Sequence, residues 1–518
     1  MKKTLILIIF ISSYTFAQAP AIQWQKALGG TSWDVAYSIQ QTSDGGYIVA
    51  GDTYSNNGDV TGYNGGTDYW VIKLNANGVM QWQKTLGGTS GDLARSIQQT
   101  ADGGFIVAGS TISNDGDVTG NHGIFDFWIV KLNSSGVLQW QKTLGGTSDD
   151  FANSIQKTSD GGYIVAGITE STNGDVTGNH GGRDYWVVKL NASGVLQWQK
   201  TLGGTALDEA YSIQQTADGG YIVAGNTISN DGDVTGNHGE SDYWVVKLNA
   251  NGVLQWQKTL GGTSYEWANS IQQISDGGFI IAGYSGSNDG DVTGNHGGSD
   301  YWVVKINNLG ILQWQKTFGG TDGDEAYSIQ QTSDGGYILA GFSGSNNGDV
   351  TGNHGGNWGD YWIVKLNVSG VLQWQKTLGG TSDDQAHSLQ ITSDGGFIVA
   401  GKSDSNDGDV TGNHGADDYW VIKLASDALG TPQYSSNDIH IYPNPANDQI
   451  TIDCSNLANV SDWTIKVVNT LGQEVYNGTM NTQQYIIPFY SWSGQGVYFV
   501  KIYDSSNNLL NTKKIILQ

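Results

Sequence analysis

The sequence predicts an all-β protein built of repeated four-stranded units, and three observations carry that reading. First, Ser43-Asp44-Gly45-Gly46-Tyr47-Ile48-Val49-Ala50-Gly51 sets a pattern that returns at Asp102, Asp160, Asp218, Asp276, Asp334 and Asp394. Second, two tryptophan series keep one period. Trp24, Trp82, Trp140, Trp198, Trp256, Trp314 and Trp374 form one, and Trp70, Trp128, Trp186, Trp244, Trp302, Trp362 and Trp420 the other. Each is spaced by 58 residues with a single interval of 60. Third, no proline lies between Ala21 and Gly430. Proline cannot donate to a strand ladder, so its absence fits a body of paired strands.

The first period holds four strand-like runs, Ala36–Thr42, Tyr47–Gly51, Asp68–Leu74 and Val79–Leu86. Ser43-Asp44-Gly45-Gly46 joins the first two as a hairpin and Asn75-Ala76-Asn77-Gly78 the last two, since glycine reaches positive φ without steric cost. A longer polar loop, Asp52–Thr67, separates the pairs. Four strands per unit at this period mark a blade of a β-propeller, and seven periods predict seven blades. The two extra residues fall in one loop, around Asn357 and Trp358, where insertions are tolerated. The chain opens with a lone strand, Ile22–Leu28, and its last period stops after three strands at Leu424. The opening strand therefore completes the last blade and removes two free sheet edges. Trp70, Ile72 and Leu74 alternate onto one strand face, as do Met80, Trp82 and Leu86, so both tryptophan series are expected in the packing between blades. Lys73, Lys84 and their counterparts are read as solvated or ion-paired edges.

A formal net charge of −25 disfavours nucleic acid and anionic membrane as partners. The 76 glycines are periodic and read as turns, not disorder. A single cysteine, Cys454, leaves no intramolecular disulfide and reads as a small buried apolar residue.

The chain divides into residues 1–19, 20–424, 425–437 and 438–518. Lys2 and Lys3, the apolar run Leu5–Ile11, and small residues at Ala17 and Ala19 have the pattern of a secretory signal peptide over 1–19. That run is too short for a transmembrane anchor. The body, 20–424, is the propeller. Its Asp-Gly-Gly-Tyr-Ile-Val-Ala-Gly and Asp-Tyr-Trp-Val-Val-Lys-Leu units, with the Trp-Gln-Lys-Thr-Leu-Gly-Gly tail, resemble bacterial secreted β-propeller repeats, a likeness that implies fold and little of function. After a polar linker, 425–437, the repeat vanishes, and Pro443, Pro445 and short alternating strands at Gln449–Asp453, Thr464–Val468 and Val497–Ile502 appear. Tyr442-Pro443-Asn444-Pro445, Asn469-Thr470-Leu471-Gly472-Gln473, Gly496-Val497-Tyr498 and the terminal Lys513-Lys514 pair resemble the type A C-terminal sorting domain of type IX secretion. That resemblance implies a small β-sandwich over 438–518 read by the type IX secretion machinery. It also implies a Gram-negative host, passage across the outer membrane, and removal of the tail with release or surface attachment.

In a propeller the two hairpins of each blade share one face. The long loop and the blade-to-blade loop (Gly87–Asp92) share the other, which is the candidate binding face. Its long loops repeat Gly-Asp-Val-Thr-Gly, giving Asp59, Asp117, Asp175, Asp233, Asp291, Asp349 and Asp409. In four copies a second acid precedes by two, as in Asp115-Gly116-Asp117. Such oxygens suit Ca²⁺, the one cofactor the sequence suggests, and they equally suit an aspartate capping its own turn. Six copies continue with a histidine, His122, His180, His238, His296, His354 and His414. None has a cysteine or second histidine nearby, so they read as solvated loop residues or partners for sugar hydroxyls, not zinc ligands. The blade-to-blade loops end on Asp34, Asp92, Asp150, Asp208, Glu266, Asp324 and Asp384. If the strands they open line the axis, these acids form a ring at the channel mouth that invites a cation; otherwise they are a solvated rim. The blades depart from one another at Trp33, Arg95, Phe151, Arg183, Glu240, Trp267, Trp358 and His387, which do not read as a nucleophile with its base. No catalytic residue is assigned. The expectation is a non-enzymatic, exported, multivalent binding or adhesion module, for glycans or surface proteins, gaining by avidity. The alternatives are a glycan-active hydrolase or lyase using two loop carboxylates, and a purely structural surface protein.

Overall fold

The structure, a computed structural model, describes residues 19–355, 359–427, 439–454, 460, 463–470, 473–489, 494–503 and 509–518. The leader up to residue 18, the insertion at Asn357 and Trp358, linker residues 428–437 and Gly472 lie outside the described residues. The chain forms two compact units, Met1–Ser426 and Asp427–Gln518.

In the first unit, β1 (Ile22–Leu28) is followed by β2 (Asp34–Gln41), β3 (Tyr47–Thr53), β4 (Asp68–Leu74) and β5 (Met80–Leu86), of which β2 to β5 form one antiparallel sheet in chain order. The pattern repeats to give seven four-stranded sheets, and the last is completed by β1 beside Asp418–Leu424. β2 starts two residues earlier than the sequence suggests and β3 ends two later. The reason is that Asp34 and Thr53 still pair, and the Thr53 hydroxyl donates to the Asp34 carboxylate.

The β2–β3 turn shows why each blade holds its shape. Gly45 adopts φ +80° and the Asp44 carboxylate accepts the Gly46 amide at 3.0 Å. Lys73 on β4, buried, reaches that carboxylate at 2.9 Å. The same pair recurs in every blade, from Lys131–Asp102 to Lys423–Asp394. The lysines of β4 are therefore ion-paired, and each pair ties the first hairpin of a blade to its third strand.

β3 and β4 are buried along their whole length. Each core is shared between neighbouring blades: Ile48, Ala50, Tyr69 and Val71 pack with Ala94, Phe105, Val107 and Trp128. The last core joins Val49 and Trp70 to Ala400, Tyr419 and Val421, closing the circle. The Trp70 series is wholly buried, as expected. The Trp24 series is only half-buried, except for Trp374. It lies on the last strand of each blade, over a hairpin glycine of the next: a Cβ on Gly136 would fall 2.9 Å from the Trp82 ring.

Two hydrogen-bond circuits run round the axis. The Ser38 hydroxyl oxygen accepts the Ile97 amide, Ser96 that of Ile155, and so on until Ser388 accepts Ile39 at 3.2 Å. Glutamines follow suit, Gln40 accepting the Gln99 amide and Gln390 the Gln41 amide. Tyrosine hydroxyls add a third tie, Tyr419 donating to the Trp70 carbonyl at 2.9 Å; in one blade Phe127 replaces the tyrosine.

The second unit has a three-stranded sheet (His440–Tyr442, Gln449–Asp453, Gln484–Pro488) and a four-stranded sheet (Glu474–Met480, Trp463–Asn469, Gly496–Tyr503, Leu509–Leu517) around one core that includes Ile450, Ile465 and Val500. Cys454 is in that core, and burial pushes its thiol up to about 11, which keeps it inert. Among the predicted sorting residues, Tyr442, Pro443, Asn444 and Pro445 lead from the first strand toward the last. The Asn444 side chain donates to the Lys514 carbonyl at 3.0 Å and accepts the Ile516 amide at 2.9 Å. Tyr498, paired in register with Ile515, donates its hydroxyl to the Gly494 carbonyl at 2.7 Å, Gly496 opens that strand, and Lys513 and Lys514 lie opposite Val500 and Phe499.

Removing residues 20–28 strips the last blade of its fourth strand. The expected outcome is a lower melting temperature and early proteolysis within 384–424. A variant that melts like the intact chain would mean that β1 does not hold the ring.

Candidate ligand site at the axial mouth

The repeated loop acids are occupied by the protein's own backbone. The Asp59 amide donates to the Gly29 carbonyl at 2.9 Å, and its carboxylate accepts the Gly29 amide at 3.3 Å. Asp117 does the same at Gly87, whereas Asp115, two residues earlier, takes the Thr89 amide and hydroxyl, both at 2.8 Å. The two acids of the Asp-Gly-Asp copies thus serve different donors. Among the described residues no group of three or more His, Cys, Asp or Glu is set to hold a metal ion. The carboxylates of Asp59, Asp117, Asp175, Asp291 and Asp349 each accept the amide of a blade-to-blade glycine and so cap their turns, whereas Asp233 and Asp409 keep only the backbone half of the contact, to the Gly203 and Gly379 carbonyls.

The loop histidines share a role. His122 Nδ1 lies 2.7 Å from the carboxylate of Asp126, the first residue of the following strand, and His180, His238, His296, His354 and His414 repeat the contact. The rings are half-exposed, and His180 Nε2 also comes within 4.0 Å of the Asp233 carboxylate.

The acids Asp34, Asp92, Asp150, Asp208, Glu266, Asp324 and Asp384 do not open onto the channel, contrary to expectation. All are fully buried. Asp34 accepts the Thr53 hydroxyl, the Ser55 hydroxyl at 2.8 Å and the Gly30 amide at 2.8 Å. Each faces the first acid of the preceding blade's third strand across a glycine: a Cβ on Gly87 would lie 2.5 Å from both Asp68 Oδ1 and Asp92 Oδ2. Those Oδ1 atoms, from Asp68 to Asp418, have no hydrogen-bond donor. Burial above all pushes the aspartates of these pairs up, and the facing carboxylate adds to it at Asp68, Asp150, Asp184, Asp242, Asp324, Asp384 and Asp418. Asp92 stands at about 6; Asp68, whose loop carries Tyr63 in place of histidine, at about 7; Asp184, bonded to His180, at about 6.

What lines the axis is the remainder of each first strand. In every blade the ladder between first and second strands slips at one residue, between Ala36 and Ser38 and at the matching places. A β-bulge re-aims a side chain. The bulged residues are Tyr37, Arg95, Asn153, Tyr211, Asn269, Tyr327 and His387, in repeats whose neighbouring Ala and Ser-Ile-Gln scarcely change. The residues paired just outside them vary equally: Val35 opposite Asp52, Glu209 opposite Asn226, Trp267 opposite Tyr284, Glu325 opposite Phe342, Gln385 opposite Lys402.

These side chains meet in one constellation. The Arg95 guanidinium sits 3.9 Å over the Tyr37 ring and pairs with Asp52 at 2.8 Å. Tyr37 stacks on His387 at 4.9 Å, and Tyr327 meets His387 edge-on. Trp267 stacks between Tyr211 and Tyr284 at 6.0 Å from each. The hydroxyls of Tyr211 and Tyr327 donate to Glu209 and Glu325 at 2.8 Å, and Arg183 bridges Glu209 to Glu170. Asn153 and Asn269 donate to the Ala210 and Ala326 carbonyls of the next blade. Burial pushes His387 down to about 4, so its ring is neutral near pH 7. Nδ1 donates to the Ala36 carbonyl at 2.9 Å and Nε2 is left as an acceptor. Burial pushes Asp52 up to about 6 against the pull of Arg95. Outside this ring the loops carry exposed apolar side chains, Trp33 in edge contact with Tyr54, and Leu207 beside Ile228. The departures Arg95, Arg183, Trp267 and His387 thus belong together, with Phe151 and Trp33 at the border. Glu240 sits in a long loop away from the axis.

Residues 440–518 match the family described as a secretion system C-terminal sorting domain. The chain is a secreted or cell-surface protein whose tail engages the type IX secretion machinery. No helix among the described residues is long and apolar enough to cross a membrane. The regulatory protein FlaEY of Caulobacter vibrioides is 28% identical over 206 residues, covering 36% of this chain, which spans only 20% of that protein's length. Among solved structures, a fungal alcohol oxidase of the AA5 family is 12% identical with a TM-score of 0.45, over 97% of this chain and all of that one. The WD40 domain of Neurospora crassa Pan2 is 10% identical with a TM-score of 0.41, over 77% and 95%. Likenesses this loose bear on neither ligand nor activity.

The blade-junction acids make stability depend on pH. The folded pKa values of the junction aspartates lie above the unfolded value of about 3.9, so the stability they contribute is complete below about pH 4 and is lost as pH rises through 6 to 7. The melting temperature is expected to fall by at least ~3 °C between pH 5 and pH 8, and Asp68→Asn is expected to flatten that slope. A melting temperature that rises over this interval would show the junction acids to be ionised in the fold.

Proposed function

We propose that the propeller is a non-enzymatic binding module displayed outside the cell, and that it takes a glycan in one site at the axial mouth. The observation that carries this reading is where the blades differ. Positions that hold the fold are near copies, while those around the mouth vary from blade to blade, with only Glu209-Ala210-Tyr211 and Glu325-Ala326-Tyr327 alike, and bring together stacked rings, two tyrosine-bonded glutamates, asparagines and arginines. Aromatic faces flanked by fixed polar groups suit the apolar faces and hydroxyls of sugars. Five of the seven loop acids that suggested multivalent binding have their carboxylates committed to capping, which favours one site per disc over seven.

Catalysis is not part of the proposal. His387 is held neutral by burial and its Nδ1 is bound to a carbonyl, and Asp52 is locked to Arg95, so neither is placed as a free acid or base.

A glycan array probed with the full chain should give hits that bind at one ligand per chain in calorimetry. Trp267→Ala should weaken them at least tenfold, about 1.4 kcal/mol, whereas His238→Ala on the outer loop should leave them unchanged. A stoichiometry near seven would restore the multivalent reading. Release of shortened sugar products would favour the enzyme.

A further inference from the structure

Below the mouth the axis widens into a cavity of about 280 Å³, lined by the Ser-Ile-Gln triplets of the first strands. The hydrogen-bond circuits fix which way each polar side chain points. In every ring glutamine the carboxamide oxygen accepts a backbone amide of the next blade, as Gln98 does from Lys157 at 2.9 Å and Gln330 from Ile391 at 3.0 Å. A backbone N–H can only donate, so the oxygen must face it and the Nε2 amide group must face away. The ring Nε2 atoms of Gln40, Gln98, Gln156, Gln214, Gln272 and Gln330, and that of Gln390, have no acceptor among the described residues, and all seven side chains are half-buried against the cavity. Each serine oxygen accepts an isoleucine or leucine amide, Ser328 also donates to the Leu389 carbonyl at 3.4 Å, and none of them receives a ring Nε2.

The cavity wall therefore offers a ring of amide donors. No acidic side chain lines it. The nearest repeated acids, at the β2–β3 turns, are neutralised by buried lysines. The residues that follow the ring glutamines include one cation, Lys157, which is exposed and adds positive charge at that level.

We infer that the glutamine ring binds a small inorganic anion of the halide class on the axis. Converging N–H dipoles in a confined cavity stabilise a negative charge that they need not reorganise to meet. The site opposes the sign of the whole protein, and it stands whether or not the mouth takes a glycan.

Bromide and the Gln214→Glu variant test this. Glutamate keeps the oxygen that accepts the Gln273 amide, so the circuit survives, but it places a negative charge in the ring. Crystals of the full chain soaked in bromide should show one anomalous peak on the axis within hydrogen-bond reach of the Nε2 atoms. Chloride NMR line broadening in solution should titrate to saturation, and should weaken at least tenfold in Gln214→Glu. Equal broadening in both proteins, or bromide only at surface lysines with water on the axis, would overturn the assignment. Should the variant not fold, Lys157→Gln gives a second reading: anion affinity falls if the ring is the site and is unchanged if it is not.

Discussion

Everything in this protein depends on a hydrogen bond that no blade can make alone. The inner edge of each first strand presents amides that its own sheet does not pair, and the serine and glutamine of the blade before accept them. Repeated seven times, this joins the sheets into a circle only if the last blade meets the first. Ser388 and Gln390 supply that step, and β1 supplies the strand the last blade lacks. An unpaired buried amide costs about 1–3 kcal/mol, so an open ring would leave a row of such losses at its two ends.

Around this circle the sequence repeats wherever geometry repeats. The glycine between two facing acids at each blade junction and the lysine that binds its turn aspartate are solutions to one packing problem met seven times, and the tyrosine that reaches the next blade's tryptophan carbonyl serves it in six. The junction acids are the costly part of that solution. They are buried, each pair sharing a glycine, and at six junctions a loop histidine relieves them from one side. The mouth is the place where repetition is not required, since each bulged side chain meets a different pair of neighbours. It is there that the blades diverge and the rings, carboxylates and Arg95 gather.

Much of the fold was legible because turn chemistry and strand patterning act over a few residues. Asp-Gly-Gly marked its hairpin, the apolar runs marked buried strands, and the leftover strand at Ile22 implied closure. Trp82 packs between blades as its alternation implies, against Phe105 and over Gly136, though it is only half-buried. The expectation that fell short did so because burial across blades is not a local property. The acids Asp34 and Asp92 stand at loop ends, where solvent is the usual neighbour, and only the third dimension shows the serine, threonine and glycine donors that bury them. The pairing of Asp126 with His122 was a spacing of four that could have been noticed. The mouth had a readable signal as well: one column of the repeat changes from Tyr to Arg, Asn and His while the columns beside it stand still. Its meaning rested on the bulge, which no single strand reveals.

Amide hydrogen exchange over β1 tests closure most directly. If β1 completes the ring, the amides of Ile22–Leu28 that face Asp418–Leu424 are protected as strongly as those of that partner strand. Exchange of β1 on the timescale of an exposed loop, with Asp418–Leu424 still protected, would contradict the closed circle on which the mouth and the axial cavity both rest.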